Sequence, residues 1–103
     1  MIKVSVMYPY KDGARFDFEY YRATHIPLVL DRLGASCRRY SVDRGLTGGR
    51  PDAPPLYAAG CHLEFDSVDA FNAAFGPHAK EIVADTPNYT SISPMTQVSE
   101  TYP

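Results

Sequence analysis

The sequence predicts an α+β fold in which four antiparallel strands carry two helices on one face. Three observations predict it. Apolar residues alternate with polar ones at Ile2, Val4, Val6 and Tyr8, and again at Tyr57, Ala59, Cys61, Leu63 and Phe65, which is the period of a strand with one face against a core. The spacing changes to that of an amphipathic helix at Phe18, Tyr21, His25 and Val29, and at Val68, Phe71, Ala74 and Phe75. The elements also follow the order strand, helix, strand, strand, helix, strand. That order is the split βαβ repeat of a ferredoxin-like βαββαβ sandwich.

The first strand runs from Ile2 to Tyr8 and is expected to end at Pro9; Asp12-Gly13 then supplies turn chemistry. Asp17 is the N-cap of the first helix, which reaches Leu33 before Gly34 closes it. Pro27 has no amide hydrogen for the Ala23 carbonyl and disfavours helical torsions at Ile26, so a kink or break is expected beside His25. The second strand spans Ala35 to Leu46 with a mixed pattern, its Arg38, Arg39 and Arg44 reading as a solvated face. Gly45, Gly48 and Gly49 with Pro51, Pro54 and Pro55 make a long loop that lacks the strand-to-helix setting of a phosphate loop. The third strand, Leu56 to Phe65, turns Ala58, Gly60, His62 and Glu64 to the opposite face. Ser67 caps the second helix, and Gly76-Pro77 is expected to break it. A short segment follows in which His78, Ile82 and Val83 can face inward, ended by Asp85-Thr86-Pro87-Asn88. The last strand is placed from Tyr89 to Glu100, with Pro94 marking an edge or a bulge.

At 103 residues the chain is one domain, 1–103, near the size at which pairing with a second copy helps to bury surface. The small residues of the second sheet face, with Met7, suit such sheet-to-sheet pairing. A net charge of -2 with interspersed signs argues against nucleic acid or an anionic membrane as partner. No stretch of eighteen apolar residues occurs, and a cytoplasmic, soluble protein is expected. Cys37 and Cys61 read as reduced core thiols. No histidine or cysteine spacing recruits a metal, so neither metal nor cofactor is expected.

The candidate chemistry rests on histidine and tyrosine. His25 and His78 each sit beside a proline that interrupts a helix, so both are expected to face one pocket between sheet and helices. A neutral imidazole there, with Tyr21 as phenol partner, suits proton removal next to a carbonyl and hydrogen bonding of the resulting enolate. Tyr8, Tyr89, Phe75 and Val29 are the expected lining for a small hydrophobic or aromatic ligand. The competing reading makes His25 a core histidine satisfied by carbonyls that the kink exposes.

Tyr20-Tyr21 with His25-Ile26-Pro27-Leu28-Val29, Arg44-Gly45-Leu46, Leu63-Glu64-Phe65-Asp66-Ser67-Val68, and Gly76-Pro77-His78-Ala79 leading to Pro87-Asn88-Tyr89-Thr90 together carry a family resemblance. The chain resembles EthD-domain proteins, named for a protein of ethyl tert-butyl ether degradation, within the dimeric α+β barrel superfamily. The resemblance implies a homodimer whose two sheets close into a barrel with helices outside. The superfamily holds isomerases, cofactor-free oxygenases, polyketide cyclases and haem-degrading enzymes, so fold does not select a reaction. The Pro77-His78 pattern resembles the histidine region of a polyketide-type cyclase branch, which makes His78 a second candidate base. The implied function is a cofactor-free isomerase, cyclase or oxygenase of small carbonyl compounds. Its rival is a non-catalytic dimeric binding or accessory protein of an oxidative degradation system.

Overall fold

The computed structural model describes all 103 residues. Strands β1 (Ile2–Pro9), β2 (Arg39–Arg44), β3 (Tyr57–Phe65) and β4 (Met95–Glu100) form one antiparallel sheet in the order β2-β3-β1-β4. The two most apolar strands take the centre because both of their edges and one face are covered there. Val4 faces Leu63 on one side and Val98 on the other, and Val6 faces Cys61. The fold is the expected ferredoxin-like sandwich. Its helical layer packs on the face bearing Val4, Tyr8, Cys61, Leu63 and Phe65, where the buried core lies. No helix is long and apolar enough to cross a membrane.

The first helical layer departs from expectation in an informative way. Asp17 caps α1 (Phe18–Tyr20) by accepting from the Tyr20 amide at 3.1 Å, but Pro27 does not break the run. Ile26 keeps helical torsions, φ -61 and ψ -44, and α2 (Ile26–Leu33) carries the proline in its first turn. The accommodation comes one turn earlier, where Tyr21–His25 form a π-helical turn and the Ile26 N–H reaches back to the Tyr21 carbonyl. That wider turn moves the Ala23 carbonyl out of the path of the Pro27 ring, which would clash with it in a regular α-helix. Gly34 then closes the helix at φ 60 and ψ -145, torsions that a side chain would resist.

Two strands are shorter than expected. A 3-10 turn at Gly34–Ser36, closed by the Cys37 N–H on the Gly34 carbonyl, uses up the start of the predicted second strand. Residues 89–94 likewise do not join the sheet. Their ties run sideways: Tyr89 accepts from the Asp17 amide at 2.7 Å, and the Thr90 hydroxyl donates to the Arg15 carbonyl at 2.7 Å. Pro94 therefore precedes β4 rather than bulging it. Gly76-Pro77 ends its helix as expected: α3 (Val68–Phe75) gives way to a 3-10 turn, Gly76–His78, and the short α4 (Ala79–Ala84) follows.

The other sheet face is polar at its centre. The Ser5 hydroxyl bonds His62 Nδ1 at 2.8 Å, and His62 Nε2 bonds Asp43 Oδ2 at 2.9 Å, so one chain of hydrogen bonds crosses three strands. Beside it Met7 lies over Gly60, where any Cβ would collide with the Met7 thioether. Arg38 pairs with Asp66 at 2.8 Å, and the Arg44 guanidinium lies 5.4 Å over the Phe18 ring.

Candidate functional site

A cavity of about 170 Å³ lies between the helices and the sheet. Its walls are mainly apolar, and the lining residues that carry polar side-chain groups include His25, Tyr21, Tyr8, Cys61 and two threonines. It opens between α4 and β4, where the lining residues Val83, Pro94 and Thr96 are exposed. A wider depression of about 300 Å³ beside Gly45–Gly49 holds no buried titratable group. The enclosed cavity is therefore the candidate site.

The π-helical turn places both of its ends on this cavity: Tyr21 and His25 are buried, their rings nearly parallel at 5.7 Å. His25 Nδ1 lies 2.9 Å from Asp85 Oδ2. An ionised carboxylate only accepts, so Nδ1 carries the proton and Nε2 is left with its lone pair. Nothing in the protein bonds Nε2. Burial lowers the proton affinity of His25, and Asp85 opposes this without reversing it. The imidazole is thus neutral near pH 7, with its basic nitrogen free.

Asp85 is held by three donors. The Tyr20 hydroxyl bonds it at 2.7 Å, the Asn88 amide at 2.8 Å and His25 at 2.9 Å. Its burial favours the protonated acid, but the bonds from Asn88, Tyr20 and His25 together outweigh this and hold the carboxyl below the usual carboxylate range.

Three phenols complete the cluster. Tyr8 and Tyr89 share a 2.5 Å hydrogen bond, and the Tyr89 ring lies 4.6 Å from His25. Tyr21 is 1% exposed, and its hydroxyl is a buried side-chain polar atom with no hydrogen-bond partner of good geometry. Its polar neighbour is the Cys61 thiol, a weak acceptor. Burial pushes Tyr8, Tyr21 and Cys61 upward, so all three are protonated at neutral pH.

Of the residues picked from sequence, His25, Tyr21, Tyr8, Phe75 and Val29 line the cavity. Tyr89 stands behind Tyr8 and is not part of the lining. His78 is not brought to it, which corrects the expectation of two imidazoles in one hollow. It is half-buried, and its torsions, φ -116 and ψ 2, are those of a residue outside the helix. Its side chain therefore leaves the stripe that carries Ile82 inward. Sequence reasoning missed Asp85, Tyr20, Asn88 and Cys61 as site residues. One signal was present: an acid in the last turn of a helix opposes the helix dipole, so Asp85 needs a compensating partner.

The pair makes stability depend on pH with a defined sign. A lowered folded affinity at His25 means that the unfolded chain binds the proton first as pH falls below about 6.5. Stability is therefore complete above that value and declines between it and the lowered folded value. Asp85 adds a second decline below about 3.8. Denaturant unfolding of His25→Gln from pH 7.5 to 5, compared with the parent, is expected to show the flatter profile. An equal slope in both would remove His25 from this role.

The EthD domain model matches residues 14–93. The chain is 49% identical to an EthD-like protein from Ralstonia eutropha JMP134, over 96% of this chain and 89% of that one, with a TM-score of 0.92. An ethyl tert-butyl ether degradation (EthD) family protein from Bacillus halodurans C-125 is 17% identical over 99% of both chains, TM-score 0.68. A dimeric ferredoxin-like protein of unknown function from Thermobifida fusca YX is 13% identical, over 94% of this chain and 87% of that one, TM-score 0.57; it is similar in fold. Among proteins of curated description, none matches this sequence.

Proposed function

We propose, from the premise that this chain belongs to the EthD domain family, that it binds a small ring compound in the His25 cavity and moves a proton on it. The observation that carries the reading is the 2.9 Å contact of buried His25 Nδ1 with Asp85, which leaves Nε2 without a protein partner and fits a neutral base with its lone pair there. Nε2 takes a proton from the carbon beside a carbonyl. The C–H pair becomes the enolate double bond, and the carbonyl oxygen, now negative, accepts a hydrogen bond from a phenol of the cavity. His25 returns the proton at a different carbon of the conjugated system, which completes an isomerisation, or the enolate carbon attacks a second carbonyl of the same molecule, whose C=O π pair moves to its oxygen and takes the proton from His25, which closes a ring. No cofactor is needed for either.

The test is deuterium exchange. Cyclohexanone incubated with the protein in heavy water is expected to exchange its α-hydrogens faster than in buffer alone. Exchange at the buffer rate would overturn the reading.

The working particle in this reading is a homodimer joined through the sheet face that carries Met7, Gly60 and the Ser5–His62–Asp43 chain. Support comes from the pairing of polar groups across that face, and from the description of the Thermobifida fusca neighbour as dimeric. Sedimentation equilibrium is expected to give twice the 11.4 kDa chain mass, and Met7→Lys, which sets a charge in the joint, the single mass. A monomeric parent protein would refute the assembly.

A further inference from the structure

We infer that the cavity recognises an uncharged, single-ring enol or phenol, gripping one hydroxyl oxygen between Tyr21 and His25. The inference rests on the acid–base reading for its biological sense, but it makes its own claim about what fits. Four observations carry it.

The first is the orphaned phenol. Tyr21 is a lining residue of the cavity and almost fully enclosed, and its hydroxyl has no protein partner but the weakly accepting Cys61 thiol. A buried donor left unpaired is costly, so a ligand that brings an acceptor oxygen gains what the empty protein forgoes. The second is His25, a residue of the same lining whose Nε2 has no protein partner and, with the proton on Nδ1, accepts and does not donate. The ligand must therefore offer a polar hydrogen as well as an acceptor lone pair. A ketone offers only the second, and an ether the same. A hydroxyl offers both from one atom: its hydrogen to Nε2, a lone pair to the Tyr21 O–H. An enol is also what the ketone becomes once proton transfer begins, so the cavity suits the reacting form better than the starting one.

The third observation is charge. No lysine or arginine lines the cavity, so a carboxylate entering it would lose its hydration with no cation to replace it. The fourth is size. A cavity of about 150 Å³ is known to hold benzene, and the volume here is about 170 Å³. One ring with a small substituent fits. Two fused rings do not.

Phenol is the stable stand-in for a ring enol, and calorimetric binding to the 103-residue protein at pH 7 tests the proposal. Phenol is expected to bind about tenfold or more tighter than toluene or cyclohexanone, and benzoate and 1-naphthol about a hundredfold weaker than phenol. Tyr21→Phe is expected to cut phenol affinity about tenfold, to leave toluene binding unchanged, and to melt no lower than the parent because it removes an unpaired group. That last readout separates a lost ligand contact from a damaged fold. Equal affinity for phenol and toluene, benzoate or 1-naphthol binding as tight as phenol's, or a Tyr21→Phe variant with full phenol affinity, would overturn the inference. Tight phenol binding without exchange of cyclohexanone supports the inference and refutes the base. Exchange without preference for phenol does the reverse.

Discussion

His25→Gln is expected to lower the catalysed exchange of an enolisable ring ketone by about 10²- to 10⁴-fold, the usual contribution of a positioned general base. Glutamine keeps the length and can still donate an amide hydrogen to Asp85, so the variant should fold. It has no lone pair of comparable basicity to set where Nε2 stands, and nothing else in the cavity replaces it. Tyr8 and Tyr21 are held protonated by burial, and the Cys61 thiol likewise. Because His25 is lowered from about 6.5, the parent rate should stay on its plateau as pH falls to that value and drop only below it. His78→Ala should leave the rate unchanged, since that ring does not line the cavity. A variant lacking the His25 imidazole yet keeping the parent rate would sink the proton-transfer mechanism.

Asp85→Ala is the second large effect, and it reads out in stability. The substitution strips the acceptor from three donors at once, on Tyr20, His25 and Asn88. Bonds to a charged group contribute about 1.5–3 kcal/mol each where water is excluded. The Asp85 side chain is 13% exposed and that of His25 6%, while Asn88 lies at the surface and recovers its bond from water. The net loss is therefore expected near 3 kcal/mol, a fall in Tm on the order of 15 °C for a chain of this size. A Tm within about 2 °C of the parent would show that the clamp does not hold the fold. Activity should fall as well, for a separate reason. With the carboxylate gone, Nδ1 no longer needs the proton, so the tautomer with a free Nε2 loses its advantage. Burial then acts unopposed and lowers the proton affinity of His25 further, moving the acid limb of the pH–rate profile to lower pH.

These two predictions differ in how far they could be read from the chain. His25 was legible because its helical spacing with Tyr21 and Val29 aligns it with an apolar stripe, and the stripe does face the core. The Ser67 cap was equally legible, since a hydroxyl that accepts from the Ala70 amide at 3.0 Å needs only its own three neighbours. Asp85 was read as a helix terminator, which it is, but its partner His25 stands sixty residues earlier. Nothing local marks such a pair. The histidine at position 78 fails for the opposite reason: the local pattern was persuasive, and a change of torsions at one residue carried the side chain out of it. Pro27 shows the same limit. Its missing amide hydrogen announces a disturbance, but whether the backbone answers with a break or a widened turn depends on what packs behind Tyr21 and His25.

The amino-acid order alone determined the four-stranded α+β sandwich, its helical layer and the inward face of each central element, because alternation and helical spacing are properties of residues a few positions apart. Only the tertiary structure decided which of two histidines reaches the cavity, that an aspartate fixes its tautomer, and that one tyrosine hydroxyl is left without a partner. Those facts are distances between groups far apart in the chain, set when the helical layer settles on the sheet and water is excluded between them.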